Sequence, residues 1–320
     1  MEFKEIKTEE LNPEKFIEEK VNEIREIVGD KEALVALSGG VDSSTTTMLA
    51  HRALGDKLKI VFIDDGLMRE NEPEQVVSTF RKLGIHVEVV DAQEEFFAAL
   101  KGLTDPEHKR KLFRKTFYEV LGRVAKESGI KFLFQGTNYT DIEETVGGIK
   151  TQHNILEQLG IDPKREFGYQ VIEPLKRLRK DGVKKVAKVL QLPKSIWNRM
   201  PFPGPALAIR VIGEVTQERV AIVRKATAIV EEVLKHSGAF QYLAILHEDR
   251  VTGIREGKRE FGFQIEVRCW DSIDATTATP TKLDDETEQK LVQRIITEIP
   301  AVVSVIFHKT PKPPSTIEGE

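Results

Sequence analysis

The stretch Ala33-Leu34-Val35-Ala36-Leu37-Ser38-Gly39-Gly40-Val41-Asp42-Ser43-Ser44 predicts the fold of the N-terminal part of the chain. Its first five residues are apolar, which is typical of a short buried strand, and the glycines and serines after them indicate a turn into a helix. Two glycines let the backbone approach an anion closely, and a helix N-terminus offers free amides and the positive end of its dipole. The segment is therefore predicted to bind phosphate.

Two better-known nucleotide-binding patterns do not fit this loop. A Walker loop ends in a lysine that reaches the phosphates, but the first lysine after this loop is Lys57, beyond the following helical stretch. The GxGxxG pattern of dinucleotide-binding folds is absent as well. An ordinary strand-to-helix turn with a good cap remains the alternative interpretation.

Outward from the loop, apolar strands alternate with helical stretches. Strands are predicted at 33–37, 58–63, 86–90 and 131–135, and helices at about 13–28, 73–83 and 107–128. This alternation is typical of an α/β fold, in which a parallel sheet carries helices on both faces. Ligands of such sheets bind beyond the carboxyl ends of the strands, so the loops after those strands are the candidate site.

The segment Pro201-Phe202-Pro203-Gly204-Pro205 marks the predicted domain boundary, because three prolines and a glycine do not fit inside a helix or a central strand. Residues 1–200 are predicted to form the first domain and 201–320 a smaller α+β domain. In the second domain, strands are predicted near 207–211, 241–246, 261–269 and 301–307, and helices near 216–235 and 285–297. Residues 140–170 show little periodicity, which favours a long loop of the kind that serves as a lid.

Composition narrows the class of protein. The chain has 320 residues, 40% of them hydrophobic, and 48 basic against 52 acidic residues give a formal net charge of −4. This is enough apolar material for a core, and it provides no general basic field for nucleic acid. One cysteine, Cys269, excludes an internal disulfide, and no apolar run is long enough to cross a bilayer. We therefore expect a cytoplasmic protein without membrane or nucleic-acid binding.

The loop at residues 38–44 resembles the pyrophosphate loop of the N-type ATP pyrophosphatases, the PP-loop enzymes, which have the adenine nucleotide alpha hydrolase-like fold and cleave ATP between its α- and β-phosphates. The resemblance implies that the loop binds the departing pyrophosphate. The residues implied are Ser38, Gly39, Gly40, Val41, Asp42, Ser43 and Ser44. Asp42 is also implied to hold the loop or a magnesium ion.

Further motifs resemble, in order along the chain, the synthetase portion of GMP synthase. They are Phe62–Leu67, Asp105–Lys111, Gln135–Asp141, Ile149–Asn154, Glu173–Lys176, Pro201–Pro205 and Lys312–Glu318. The PFPGP segment and the KPPxTIE tail are the most specific. The resemblance implies ATP-dependent amination of xanthosine monophosphate (XMP) to GMP through an adenyl-XMP intermediate, with release of AMP and pyrophosphate.

The resemblance also implies a role for each matching residue, with ATP and Mg²⁺ as cofactors. The implied magnesium ligands are Asp42, Asp141 and Glu144, and the implied catalytic residues are Asp42, Lys150, Lys176 and Lys180. Nucleotide binding is implied for Asp64, Gly66, Leu67, Arg110, Gly136 and Thr137, and binding of XMP for Lys312, Ile317 and Glu318. A solvated basic face is the alternative for Lys176 and Lys180, and a plain surface loop for Asp141 and Glu144.

Four positions depart from the family pattern. Thr140 stands at a usual proline, Gln152 at a histidine of the lid, Ser304 at a phosphate-binding arginine and Gly319 at an aromatic residue. These changes affect the XMP half of the pattern, while the pyrophosphate loop is intact. Two alternatives therefore stay open: a PP-loop enzyme that adenylates a different substrate, and a non-catalytic dimeric nucleotide-binding module.

The source of ammonia is a further expectation. Members that use glutamine within one chain carry an additional amidotransferase domain with a nucleophilic cysteine. Here the one cysteine, Cys269, lies in the predicted second domain. We therefore expect ammonia from a separate glutamine amidotransferase subunit, and the family resemblance implies a homodimer formed through the second domain.

Overall fold

The computed structural model describes residues 4–146, 168–273 and 275–320, and for residues 144–146 it describes the backbone only. The chain forms two compact units. The first unit combines Met1–Asp64, Pro73–Asp91 and Phe117–Arg199, and the second combines Asp65–Glu72, Ala92–Thr116 and Met200–Glu320. These units differ from a single division at residue 200, because two earlier segments group with the C-terminal part of the chain.

In chain order, the described helices and strands are α1 (Pro13–Val28), β1 (Ala33–Ala36), α2 (Val41–Leu54), β2 (Leu58–Asp64), α3 (Glu72–Lys82), β3 (Glu88–Asp91), α4 (Gln93–Leu100), α5 (Pro106–Glu127), β4 (Phe132–Phe134), α6 (Tyr139–Val146), β5 (Gln170–Ile172), α7 (Lys180–Val189), α8 (Lys194–Trp197), α9 (Gln217–Leu234), β6 (Gln241–Arg255), β7 (Lys258–Asp271), β8 (Thr279–Pro280), α10 (Asp285–Glu298) and β9 (Val302–Phe307). Short 3-10 helices span Gly55–Lys57 and Ala206–Arg210.

Helix α1 shows how local residues set an element. The Asn12 side chain accepts a hydrogen bond of 2.9 Å from the Lys15 amide, and Pro13 occupies the first helical position. Apolar residues at helical spacing, from Phe16 to Val28, are buried. The helix ends at Gly29, which has a φ of 61°. The predicted first helix is confirmed.

The first unit is built on a five-stranded sheet in the order β3-β2-β1-β4-β5, with every pairing parallel. The successive residues Ala33, Leu34 and Val35 of β1 are all buried. Because successive side chains of a strand point to opposite faces, both faces of the sheet are covered. The predicted α/β class is confirmed, and the strand order reverses direction between β1 and β4, which is where such sheets bind ligands.

The second unit contains an antiparallel β6–β7 pair, with β8 antiparallel and β9 parallel to β7. A cluster of buried residues forms part of its core: Leu243, Ile245, Trp270, Ala278 and Ile317. Ile317 belongs to the C-terminal tail, which we define as residues 312–320. The tail is therefore packed into the second unit at this residue.

Two local predictions were wrong or incomplete. The strand predicted at 207–211 is a 3-10 helix, Ala206–Arg210, in which all five residues are buried. A short run that is buried on all sides does not show the period that separates a strand from a helical turn. Helix α4 was not predicted, although its buried Phe96 and Leu100 have helical spacing.

Among the described residues, no helix is both long and apolar enough to span a membrane.

Candidate functional site

The loop between β1 and α2 has the features of an anion site. Gly40 is the residue before the first helical position of α2, and among the described residues no side chain makes a capping hydrogen bond there. The first backbone hydrogen bond of α2 runs from the Ser44 amide to the Gly40 carbonyl, at 3.0 Å. The amides of Val41, Asp42 and Ser43 precede it and have no acceptor within the helix, so they can bind an anion.

Two serines hold the loop closed on itself. Ser38 Oγ and Ser43 Oγ are hydrogen-bonded at 2.8 Å, and the Ser38 amide donates to Ser43 Oγ at 3.2 Å. Ser43 Oγ also lies 3.2 Å from the Gly40 carbonyl oxygen, to which it can donate. The buried hydroxyl of Ser44 has no hydrogen-bond partner among the described residues. The loop is thus shaped before any ligand binds.

Gly39 is required by both its backbone and its surroundings. Its φ is 75°, in the left-handed region that favours glycine. A Cβ at this position would lie 2.5 Å from Val76 Cγ2 and 3.2 Å from Arg199 Nη1. Arg199 Nη1 donates to the Gly39 carbonyl at 3.3 Å. A side chain at residue 39 would therefore displace the loop.

The loop after β4 lies directly against the phosphate loop. A Cβ on Gly136 would lie 2.9 Å from both the carbonyl carbon of Asp42 and the amide nitrogen of Ser43. The next residue, Thr137, is buried, and its hydroxyl donates to Glu173 Oε1 at 2.6 Å. The predicted residues Gly136 and Thr137 are thereby brought to the N-terminus of α2.

Asp42 and Asp141 form the charged part of this site. The side-chain oxygen Asp42 Oδ1 is buried without a hydrogen-bond partner among the described residues. Burial, followed by the repulsion from Asp141, raises the pKa of Asp42 from 3.8 to about 7, although Lys180, Asn138 and Lys184 oppose the shift. A buried carboxyl group whose pKa is raised by a neighbouring carboxylate is a good site for a cation.

Asp141 is positioned by a reciprocal cap at the start of α6. Its Oδ2 accepts from the Asn138 amide, and Asn138 Oδ1 accepts from the Asp141 amide, both at 3.1 Å. This pattern anchors the helix and aligns one carboxylate at the site. The backbone of Glu144 lies in the same helix, but the side chain of Glu144 is outside the described part of the structure.

The donor set fits magnesium. Within the described ranges, no group of three or more His, Cys, Asp or Glu side chains is arranged to hold a metal. Mg²⁺ does not need such a group, because it usually binds one or two carboxylates together with waters and substrate phosphates. The partnerless oxygen of Asp42 beside Asp141 satisfies that requirement.

The structure describes two of the three predicted catalytic lysines, and Lys180 is the one that acts on Asp42. Lys180 is the exposed first residue of α7 and lies close enough to Asp42 to lower its pKa, as Lys184 does one turn later. Lys176 is half-buried in the turn that follows Glu173. Lys150 and most of the predicted lid lie outside the described residues; its described ends are α6 and β5.

The residues after β2 divide between the two units. Asp64 ends β2 in the first unit, whereas Gly66 and Leu67 belong to the second. Leu67 is fully buried; its amide donates to Asp65 Oδ1 at 2.7 Å, and its carbonyl accepts from the Leu207 amide at 2.9 Å. Its polar backbone groups are therefore already used within the second unit.

The C-terminal tail is anchored by buried polar residues. Arg210, which has no exposed surface, donates to both carboxylate oxygens of Glu318 at 2.9 and 3.0 Å, and Gln241 donates to Oε1 at 2.8 Å. Lys312 Nζ donates to the Ala275 carbonyl at 2.6 Å. The predicted XMP residues are thus held in place by the protein itself.

The last tail residue, Glu320, has its own buried partners. The fully buried Lys109 donates to Glu320 Oε2 and to the Val211 carbonyl, and Arg110 donates to the Glu320 carbonyl and to Glu107. Desolvation lowers the pKa of Lys109 and raises that of Glu320. Arg110, predicted to bind nucleotide, is here engaged with carboxylate and carbonyl groups.

The structure shows the contacts of two positions that depart from the family pattern, Ser304 and Gly319. Ser304 donates to Gln264 Oε1 at 3.0 Å across β9 and β7, and a Cβ on Gly319 would lie 2.9 Å from Ile245 Cδ1. Lys309 pairs with Glu288 at 3.1 Å, and His308 is bonded to Glu266 and Ser315. Both side chains are therefore engaged within the protein.

Sequence reasoning missed the residues that anchor the tail. Arg210, Gln241 and Arg268 are buried polar side chains within otherwise apolar segments. Burial of a charged side chain costs free energy unless the side chain has a partner. A charged residue inside an apolar run was therefore the signal that a buried partner exists. Their partners could not be read from the pattern.

The strand order, with a lysine-free phosphate loop after β1 and paired carboxylates beside it, defines a nucleotide-binding enzyme of the PP-loop class. Comparison with known families agrees. The "PP-loop domain" model matches residues 13–194, and the "GMP synthase C terminal domain" model matches residues 227–319.

Relatives similar over nearly the whole chain are described as one of the subunits of a glutamine-hydrolysing GMP synthase. The one from Pyrococcus furiosus is 50% identical over 96% of this chain and 97% of its own length. The one from Thermococcus kodakarensis is 51% identical over 96% of this chain and 99% of its own length. The chain therefore belongs to this family of GMP synthase subunits.

A solved structure, the NMN synthetase from Francisella tularensis, is similar to 61% of this chain and 78% of that chain, with a TM-score of 0.47 and 19% identity. This score is too low to support the fold, which rests on the strand order above.

Proposed function

We propose that this chain, a ligase of the GMP synthase family, uses the β1–α2 loop to activate XMP with ATP for amination to GMP. The observation that carries the proposal is the end of β1. Free amides of α2 meet the partnerless carboxylate oxygen of Asp42 there, with Asp141 beside it. This combination suits a nucleotide phosphate with its cation.

The chemistry explains these features. XMP O2 attacks the α-phosphorus of ATP, the bond to the bridging oxygen breaks, and pyrophosphate leaves with that bonding pair. Ammonia then attacks C2 of the adenylated base, and AMP leaves, which gives GMP. An unactivated carbonyl oxygen is a poor leaving group, so the first step prepares the second.

The chain's residues have separate tasks in this proposal. The amides of Val41, Asp42 and Ser43 bind the departing pyrophosphate, and Lys176 and Lys180 offset its charge, together with Lys150. Asp42 and Asp141, with Glu144, would hold Mg²⁺, which supplies further charge neutralisation when bound. The tail binds the XMP phosphate and ribose through Lys312, Ile317 and Glu318.

Ammonia is proposed to come from a separate glutamine amidotransferase subunit, in agreement with the names of the relatives. Cys269 is the one cysteine of the chain and is buried. Burial raises the pKa of its thiol, which opposes formation of the thiolate nucleophile. We place the reaction in the cytoplasm, where a free thiol stays reduced.

A homodimer is proposed to form through the second unit. The outer half of the β6–β7 hairpin exposes Ile254 and Phe261, with 75% and 67% of their surface accessible. On the same hairpin, Gly253 and Gly262 lie against Val303 of β9. Large apolar side chains that stay uncovered on such an arm suit contact with a second copy.

The test is a direct assay with the purified chain, ATP, Mg²⁺, XMP and ammonium. GMP, AMP and pyrophosphate should form in equal amounts, and glutamine in place of ammonium should give no GMP without a second subunit. Pyrophosphate release that does not depend on XMP would contradict the proposal and favour another acceptor. No turnover with any acceptor would favour a non-catalytic module.

A further inference from the structure

The second unit contains a buried polar cluster that the proposed function leaves unexplained. Glu266 on β7 is 5% exposed and is surrounded by donors. His308 Nδ1 and Arg268 Nε lie 2.7 and 2.8 Å from its Oε1, and His247 Nε2 lies 2.8 Å from its Oε2. We call Glu266, Arg268, His247 and His308 the Glu266 cluster.

The cluster continues into the tail. Arg268 Nη1 donates to the carbonyls of Thr316 and Glu318, at 2.9 and 2.7 Å. His308 Nε2 lies 2.9 Å from Ser315 Oγ and 3.0 Å from the Thr310 carbonyl. Two members of the cluster therefore reach from one carboxylate to the tail, and Arg268 contacts Glu318, one of the residues assigned to XMP.

The two histidines differ in this respect. His247 and His308 both bond to Glu266, but it is the ring of His308 that continues to the tail, through Ser315. The rings of His308 and Trp270 also pack at a tilt of 51°, with centroids 5.2 Å apart, and Trp270 Nε1 donates to the Ile317 carbonyl at 3.3 Å. Substitution of each histidine in turn can therefore separate the effect of contact with Glu266 from that of contact with the tail.

The charge balance explains why a carboxylate is needed. Arg268 is 8% exposed, and among the described residues its hydrogen bonds other than those to Glu266 go to the carbonyls of Thr316 and Glu318. Burial alone would raise the pKa of Glu266, but hydrogen bonds from His247, Arg268 and His308 bring it down to about 2. The carboxylate is therefore ionised at neutral pH, and it fixes the direction in which Arg268 points.

We propose that Glu266 is a positioning residue for XMP binding, which it controls by orienting Arg268 and His308 and, through them, tail residues 315–318. This inference rests on the proposed function, because that function assigns XMP to the tail. Ser304 lacks the positive charge of the family arginine, so this chain depends on an ordered tail for recognition of the XMP phosphate and ribose.

The test compares steady-state constants of Glu266→Gln with those of the native chain. The substitution keeps the size of the side chain and removes its charge. The KM for XMP should rise about tenfold or more, while the KM for ATP stays within about twofold. Glu298→Gln, a carboxylate of the same unit that pairs with Arg294 on α10, should change neither constant.

Two further comparisons separate positioning from loss of folding. His308→Asn should raise the KM for XMP more than His247→Asn does. Ser315→Ala leaves the cluster intact and removes the tail hydroxyl, and it should raise the same constant. Faster hydrogen exchange at the amides of 315–318 in Glu266→Gln, measured without XMP, should accompany these changes.

The outcomes are distinguishable. If the native chain makes GMP and Glu266→Gln keeps the native KM for XMP, the inference is overturned. Equal effects of the two histidine variants would also overturn it. If the native chain does not use XMP, the proposed function fails, and unchanged hydrogen exchange in Glu266→Gln would separately refute control of the tail by Glu266.

Discussion

Gly136 lies so close to Asp42 that a Cβ on the glycine would be 2.9 Å from the carbonyl carbon of the aspartate. The second atom at that distance is the Ser43 amide nitrogen, so both neighbours are backbone atoms at the start of α2. Backbone atoms of a helix do not move aside as the end of a flexible side chain can. The loops after β1 and β4 can therefore meet only with glycine at this position.

Gly136→Ala should displace the pyrophosphate loop. A shift of about 1 Å in groups that position a substrate can lower the rate by roughly a hundredfold. We expect kcat/KM for ATP in the synthetase assay to fall by about that factor, with a moderate loss of unfolding free energy.

Gly182→Ala is the matched control. A Cβ at Gly182, which is buried in α7, would make ordinary contacts of 3.4 Å with Leu11 and 3.5 Å with Leu178. We expect native activity from this variant. If both variants behave alike, the close packing of the two loops is not important for ATP use.

Asp42→Asn should lower turnover strongly and yet stabilise the metal-free protein. The pKa of Asp42 is higher in the folded chain, at about 7, than its usual 3.8. Folding therefore becomes less favourable as the pH rises from about 4 to 7, because the folded state resists loss of the proton. The amide variant escapes this penalty.

Thermal unfolding in EDTA at pH 5 and pH 8 measures this effect. The gain in Tm of Asp42→Asn over the native chain should be larger at pH 8, while GMP formation falls by roughly a hundredfold or more. If Asp42→Asn is equally destabilised at both pH values, the native carboxylate is stabilised by its partners, and its ionisation carries no cost to folding. Mg²⁺ should raise the Tm of the native chain and leave that of the variant nearly unchanged.

Glu320→Gln should destabilise the second unit by removing the carboxylate that is hydrogen-bonded to the buried Lys109. Removing one member of a buried pair costs about 3 kcal/mol or more. The double variant Lys109→Met with Glu320→Gln should recover part of this loss, since the unpaired charge is gone. Urea unfolding of the double variant and of each single variant measures their free energies of unfolding. A double variant that loses as much stability as the two single variants together would contradict the prediction.

Phe261→Lys should convert the proposed dimer into monomers. A charge on an exposed apolar residue disfavours its burial against a second copy but costs the monomer little. Light scattering after size exclusion measures the mass. Val89→Lys, a substitution at a residue that is 48% exposed on β3 of the first unit, should leave the dimer intact. A Phe261→Lys protein that stays dimeric would move the interface elsewhere.

Much of the first unit could be predicted from local patterns. The strand before Ser38, the glycines after it and the cap at Asn12 depend on neighbouring residues, so short segments carry their signal. Arg210 illustrates what such patterns omit. The apolar run that it ends was interpreted as a strand, because burial on all sides hides the period of a 3-10 turn.

The tail shows the same contrast. Its KPPxTIE pattern suggested a role with XMP, but its anchors come from distant parts of the chain. Glu318 is bound by Arg210, 108 residues earlier, and Glu320 by Lys109, 211 residues earlier. Spacing along the sequence contains no information about such pairs.

By itself, the sequence determined the phosphate loop, the alternation of strands and helices and the membership of the PP-loop class. These properties depend on backbone freedom and on apolar periodicity, both of which are local. The tertiary structure alone decided that Asp42 faces Asp141, that Gly136 contacts the start of α2 and that Glu266 reaches the tail through Arg268. The pKa of a carboxyl group and the direction of a buried side chain depend on groups brought together by folding, and most of these groups are far apart in sequence.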